Sequence, residues 1–392
     1  MPLRDLDDPS AIGTYDVPES TKVVRSKKYV PALDGLRGVA ILAVICYHVR
    51  GPEGAAILDR ILAHADALGW AGVDLFFVLS GFLITGILLD ARSRPRYFRT
   101  FFARRVLRIV PVYVAFLLFS MWVAPLLGLS TPAEALHLRK MQAWYWTYLL
   151  NVYVALHGWA AVGAGPTHLW SLAVEEQFYV LWPLVVLLAS PRVLPKIAIG
   201  CIVAAEICRT GFALIQAPGE VNFVLLPTRM DTLAVGALLA CAERNADLSS
   251  TIRRWLPPAM LASLAALLVT LVIEHTIDPQ LPLAQLVALP AIAILSGAFV
   301  VHASKVGGVL NSSALRFVGR YSYGMYIWHL VVITGIAVYG PYVWKQLGTS
   351  QTLLSNLITL LTVVTLTVLV ALLSWYVIER PFVRLKRLFV YA

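Results

Sequence analysis

The stretch "LDGLRGVAILAVICYHVR", residues 33–50, sets an arginine and a histidine into a run that otherwise has the composition of a membrane span. Arg37 and His48 are eleven residues apart. At about 100° per residue this leaves a remainder of about 20°, so on a helix they share one face, about 16 Å apart along the axis. Histidine, with an ordinary pKa of about 6.5, can take a proton from a hydroxyl near neutral pH. Arginine at the centre of a span costs about 2.5–3.5 kcal/mol on insertion scales, so such a face turns toward the protein interior or a wet cavity. A purely structural alternative pairs Arg37 with Asp34 at the end of the span and leaves His48 as an interfacial histidine.

The pair is not isolated. Asp74 lies in "GVDLFFVLSGFLITGILL", Trp170, Glu175 and Glu176 in "HLWSLAVEEQFYVLWP", Arg229 and Asp231 in "RMDTLAVGALLA", and Tyr326 and His329 in "YSYGMYIWHL". Ionisable groups in five apolar runs point to a shared interior site, because a lone charge in hydrocarbon is penalised. Asp34, Asp74, Arg229 and Asp231 read first as ion pairs within the bundle. Asp74, Trp170, Tyr326 and His329 are also candidates to line a substrate. Arg104, Arg105 and Arg108 in "FFARRVLRIVPVY" form a second cluster, either an anchor at the membrane surface or a guanidinium fork for phosphate oxygens.

The elements that must position these residues follow from composition. Of 392 residues 59% are hydrophobic and 14% charged, against about 25% charged in an ordinary globular chain. Ten apolar runs of spanning length lie near 33–50, 71–90, 107–127, 169–190, 197–215, 226–242, 257–274, 283–302, 322–340 and 354–378. The expected fold is all-α: about ten transmembrane helices in one bundle, with a disordered tail over 1–30, a membrane domain over 31–382 and a short basic tail over 383–392.

With the N-terminus inside, 24 of the 32 Lys and Arg residues fall in inside segments and 5 in outside loops, Arg50, Arg60, Arg139, Lys140 and Lys345. That bias predicts both termini in the cytoplasm and a multi-pass protein of the cell's inner, cytoplasmic membrane. It also accounts for the net charge of +10 without nucleic acid. The first thirty residues show no signal-peptide pattern. Cys46, Cys201, Cys208 and Cys241 show no paired spacing, so neither a disulfide nor a metal site is expected. The aromatic stretch "MQAWYWTYLLNVYVALHGW" outside the spans suits an interfacial anchor or a pocket mouth. Glu379 before Pro381 reads as a helix-end feature.

Seven ordered blocks, the five quoted above together with "FFARRVLRIVP" and "VIERP", resemble the acyltransferase 3 family from about Pro31 to Phe382. That resemblance implies an integral membrane O-acyltransferase moving an acyl group, most often acetyl, from cytoplasmic acetyl-CoA or another acyl-CoA to a hydroxyl. The family's essential Arg and His fall on Arg37 and His48, its RxxR on Arg105 and Arg108, and its characteristic glutamate on Glu175. The chain resembles the stand-alone form, without an appended secreted domain.

The expected mechanism has His48 as general base with Glu175 or another buried carboxylate orienting its ring. An acyl-histidine intermediate is the rival route. Arg105 and Arg108, with Arg104 beside them, are expected to hold the CoA phosphates, and Arg37 to line the passage toward His48. The acceptor is expected to be a glycan or glycolipid, or alternatively a macrolide or other small molecule. A transporter is the competing class, weakened by the lack of an inverted repeat. A receptor or scaffold gives no reason for Arg37, His48 and Arg105 to occur together.

Overall fold

The computed structural model describes residues 30–49, 68–163, 165–305, 307–347 and 353–391. The expected tail up to residue 29 and the outside-loop residues Arg50 and Arg60 lie outside the described residues. Ten helical segments are long and apolar enough to cross a membrane, in the expected order, and no strand occurs among the described residues.

Helix α1 runs Pro31–His48, opened by a proline whose missing N–H costs nothing at that position. Helix α2 is Ala71–Ala91 and α3 is Tyr97–Leu118, extended by a π-helical turn at Phe119–Val123. Three short helices follow, α4 Pro132–Lys140, α5 Gln142–Trp146 and α6 Leu150–His157. Then come α7 Leu169–Leu188, α8 Leu194–Leu214, the short α9 Gly219–Val224, and α10 Leu226–Ala242. The remainder is α11 Ala246–Glu274, α12 Leu289–Lys305, α13 Ser313–Arg320, α14 Ser322–Leu347, α15 Leu353–Ser374 and α16 Arg380–Arg384.

One expected boundary is corrected. The third span begins at Tyr97, not near 107, because Arg96 takes a left-handed conformation (φ 59°) and the helix starts directly after it. Tyr97 and Phe101, one turn apart, are buried and anchor this early turn, while the interspersed arginines lower its hydropathy. Arg104, Arg105 and Arg108 therefore stand on a helix rather than at its mouth. Past Phe382 the chain stays against the bundle. A turn at Leu385–Leu388 returns it to α3, where the Arg104 guanidinium donates to the Phe389 carbonyl at 2.9 Å.

Close helix contacts depend on glycine, as is usual where apolar surroundings give no drive for helices to associate. A Cβ on Gly81 of α2 would overlap the Leu233 carbonyl oxygen of α10, and one on Gly236 would overlap the Val78 carbonyl. Buried ion pairs tie α10 to both neighbours: Arg229 of α10 with Asp74 of α2 at 2.7 Å, and Arg209 of α8 with Asp231 of α10 at 2.8 Å. Each sets opposite charges together inside the apolar bundle. Outward-facing Leu181, Leu188, Ile207, Leu214 and Leu268 are exposed, as a surface turned to lipid requires.

The aromatic stretch between α3 and α7 is packed down onto the bundle. The Tyr113 hydroxyl donates to the Tyr145 carbonyl at 2.7 Å, and the Asn151 amide donates to Gln177 Oε1 and the Val224 carbonyl, each at 3.2 Å.

Gly81→Val is expected to destabilise the protein by at least about 1–3 kcal/mol, the usual cost of overpacking, read as a lower melting temperature in detergent. Gly200→Val on α8, where an added Cβ meets no atom within 4 Å, should melt with the wild type.

Candidate active site

Two cavities of similar size, about 350 and 280 Å³, are stacked along α1 and α2, near the lower end of the range for small-molecule sites. Arg37, near the start of α1, lines the first, and His48, its last residue, lines the second. The shared helix face expected from their spacing therefore serves both chambers.

The first cavity is cationic. Arg37, Arg104, Arg105, Arg108 and Lys386 line it. The Arg105 guanidinium lies 5.8 Å from the Phe101 and Tyr179 ring centres, and that of Arg108 lies 5.4 Å from Trp375. Such stacking holds the planar guanidinium groups in place along the cavity wall. Arg104 differs, since its Nη1 donates to the carbonyls of Phe389 (2.9 Å) and Lys386 (3.5 Å). It secures the returning C-terminal segment that carries Lys386. Arg37 keeps a loose pairing with Asp34 at 3.6 Å.

Glu175 belongs to this cationic cavity, not to that of His48. It accepts from the Tyr179 hydroxyl at 3.2 Å, and Tyr179 hydrogen-bonds Ser80 in turn. The His48 ring has one partner in the backbone. His48 Nδ1 lies 2.8 Å from the Val44 carbonyl, one helical turn back. A carbonyl only accepts, so Nδ1 carries the proton and the neutral ring keeps its lone pair on Nε2, the atom a base requires.

The second cavity is aromatic. Trp70, Trp159, Trp170 and Phe223 line it beside His48 and His168. Trp170 packs on Phe223 with ring centres 4.8 Å apart. His329 is fully buried behind His48, with ring centres 4.9 Å apart, and its Nδ1 donates to the Tyr326 carbonyl at 2.7 Å. His168, one residue ahead of α7, stands 5.0 Å from His329. Burial first, and the neighbouring His48 second, hold the His168 imidazole well below its ordinary range, so it is neutral.

Asp74 does not line either cavity, contrary to expectation. It is fully buried and paired with Arg229, whose guanidinium stacks between Phe77 (5.7 Å) and Phe223 (5.2 Å). The ion pair thus supports the aromatic wall from behind. Asp74's neighbour Val73 faces both cavities, as does Tyr326.

Sequence reasoning passed over His168, Ser80, Tyr179 and Lys386. His168 opens the "HLWSL" block and is one of only eight histidines, a signal that was present. The others are single polar residues that no local pattern marks as lining one cavity.

No solved structure matches the chain. Among curated proteins, the peptidoglycan O-acetyltransferase OatA of Listeria monocytogenes is 30% identical over 82% of this chain and 53% of its own. The O-acetyltransferase OatA of Staphylococcus aureus is 28% identical over 91% of this chain and 57% of its own. The chain thus spans about half the length of the curated relatives it matches. The family model described as an acyltransferase domain covers residues 30–378, which include every lining residue of both cavities but Lys386, and to that acyltransferase family the chain belongs.

Proposed function

We propose that the protein is a membrane O-acyltransferase that takes an acyl group, foremost acetyl, from acyl-CoA entering the cationic cavity and delivers it to a hydroxyl in the aromatic cavity. The observation that carries this reading is the stacking of the two chambers with a common wall at Val73 and Tyr326.

Arg105 and Arg108, with Arg37 lining the same cavity, hold the CoA phosphates, which hydrocarbon does not solvate. The pantetheine arm then points the thioester toward Tyr326. His48 Nε2 takes the proton of the acceptor hydroxyl as its oxygen attacks the thioester carbonyl carbon. The C–S bond breaks, and the CoA thiolate recovers a proton. No metal takes part in this scheme. Glu175 acts on the donor side, beside Arg105 and Tyr179, rather than on the His48 ring.

The excess of Lys and Arg in alternate loops supports cytoplasmic termini, and so a cytoplasmic membrane protein with its donor chamber facing inward. The names of the relatives favour a cell-wall glycan hydroxyl as acceptor. The four aromatic rings offer apolar faces for a sugar to stack on.

His48→Ala is expected to lower acetyl transfer from radiolabelled acetyl-CoA to cell-wall glycan fragments by at least about 10²-fold, the lower bound for losing a positioned base. Its acetyl-CoA affinity and elution profile in detergent should remain those of the wild type. Normal turnover by this variant would remove His48 from the chemistry.

The double variant Arg105→Glu, Arg108→Glu is expected to raise KM for acetyl-CoA about tenfold or more, equivalent to about 1.4 kcal/mol, with a smaller change in kcat. An unchanged KM would remove the phosphate fork and leave the assignment of His48 standing.

A further inference from the structure

Tyr326 occupies a position that neither the relatives nor the acyl-transfer scheme explains. It lines both cavities and is almost fully buried between them. Its hydroxyl donates to the His168 carbonyl at 2.8 Å and shares a short hydrogen bond with Ser171, which lines the cationic cavity. Ring edges hold the phenol on three sides: Phe76 at 6.2 Å, His168 at 5.5 Å and His329 at 5.6 Å between centres. Its own backbone carbonyl receives the proton of His329 Nδ1. A side chain fixed by so many contacts at the junction of two polar chambers is a wall rather than a filler.

The wall matters because of what shares the acceptor chamber. A base that activates a sugar hydroxyl also activates water. Water attack on the thioester carbonyl carbon breaks the C–S bond and yields the free carboxylic acid and CoA thiol, wasting the donor. A passage for water needs only about 10–15 Å³ of probe-occupied space, far less than a phenol ring fills.

We propose that Tyr326 is the specificity-determining partition that admits the acyl group to His48 while keeping water of the acceptor chamber from the waiting thioester. The consequence for catalysis rests on the reading that the cationic cavity takes acyl-CoA. The partition itself does not. Val73, the other residue common to both chambers, completes the wall with a small aliphatic side chain, so the aromatic ring of Tyr326 supplies most of the barrier.

Two readouts test the proposal on the full chain. The first is acceptor-independent hydrolysis of acetyl-CoA by wild type, Tyr326→Phe and Tyr326→Ala. Tyr326→Ala should raise hydrolysis at least about tenfold and lower the ratio of transfer to hydrolysis, a modest part of the 10²–10⁴-fold a positioned base contributes. Tyr326→Phe keeps the ring and should stay within a few-fold of wild type.

The second readout needs no donor. Thr167 lines the aromatic cavity alone and is half-buried. Thr167→Cys, in a chain whose four native cysteines are alanine, is treated with a membrane-impermeant thiol reagent from each face of oriented vesicles in turn. It should be labelled from one face when Tyr326 is present and from both in Tyr326→Ala, with Tyr326→Leu as a second, less disruptive variant. Labelling from both faces with Tyr326 in place, or from one face in both variants, overturns the partition. If labelling follows expectation and no variant turns over acetyl-CoA, the partition stands and the donor assignment falls. Efficient transfer by wild type with no rise in hydrolysis in Tyr326→Ala leaves the donor assignment and removes the partition.

Discussion

The constraint on which everything else depends is that hydrocarbon solvates neither phosphate nor hydroxyl, so a polar path must be built inside the bundle and every charge along it must be answered. The answer here is one face of one helix. Arg37 and His48 lie about three turns apart on α1, and each opens on its own chamber. Residues from α2, α3, α7 and α14 then complete the two walls, and Tyr326 stands where they meet.

Charges that do not face the path serve the frame around it. Arg229 with Asp74, and Arg209 with Asp231, tie α2, α8 and α10 together at positions with almost no exposure. Breaking one member of such a pair strands the other, which costs about 3–5 kcal/mol in soluble proteins. The Arg229 guanidinium also backs Phe223, so this frame reaches the aromatic chamber directly. Gly81 and Gly236 let α2 and α10 approach until backbones touch, which brings these charges within hydrogen-bond distance. Among the described residues three π-helical turns, Phe119–Val123, Ala284–Ala288 and Trp375–Glu379, each add a residue to a helix. The last sets Trp375 beneath Arg108.

Much of this frame was legible because the bilayer imposes a length and a hydropathy on every crossing. The ten spans and their order follow from apolar runs, and the common face of Arg37 and His48 follows from helical geometry. Asp74 and Arg229 are charges of the bundle, as read, but the choice of each other as partners comes from the structure, and Asp74 lines neither cavity. One residue's rotation about α2 separates the buried Asp74 from the cavity-facing Val73, and no local pattern fixes that rotation. The arginines of α3 masked ten residues of helix, because hydropathy falls where a span carries charges inward. The return of the C-terminal segment onto Arg104 depends on backbone carbonyls, which every sequence supplies equally. The Nδ1 proton of His48 likewise lies against a backbone carbonyl, that of Val44.

The central claim, that donor and acceptor occupy separate chambers meeting at Tyr326, is tested most directly by a cryo-EM structure with a non-transferable acyl-CoA analogue. The account predicts phosphate density against Arg105 and Arg108 and the acyl carbonyl at the Tyr326 wall on the cationic side. Nucleotide density in the aromatic chamber beside His48, or at a surface apart from both cavities, would contradict it.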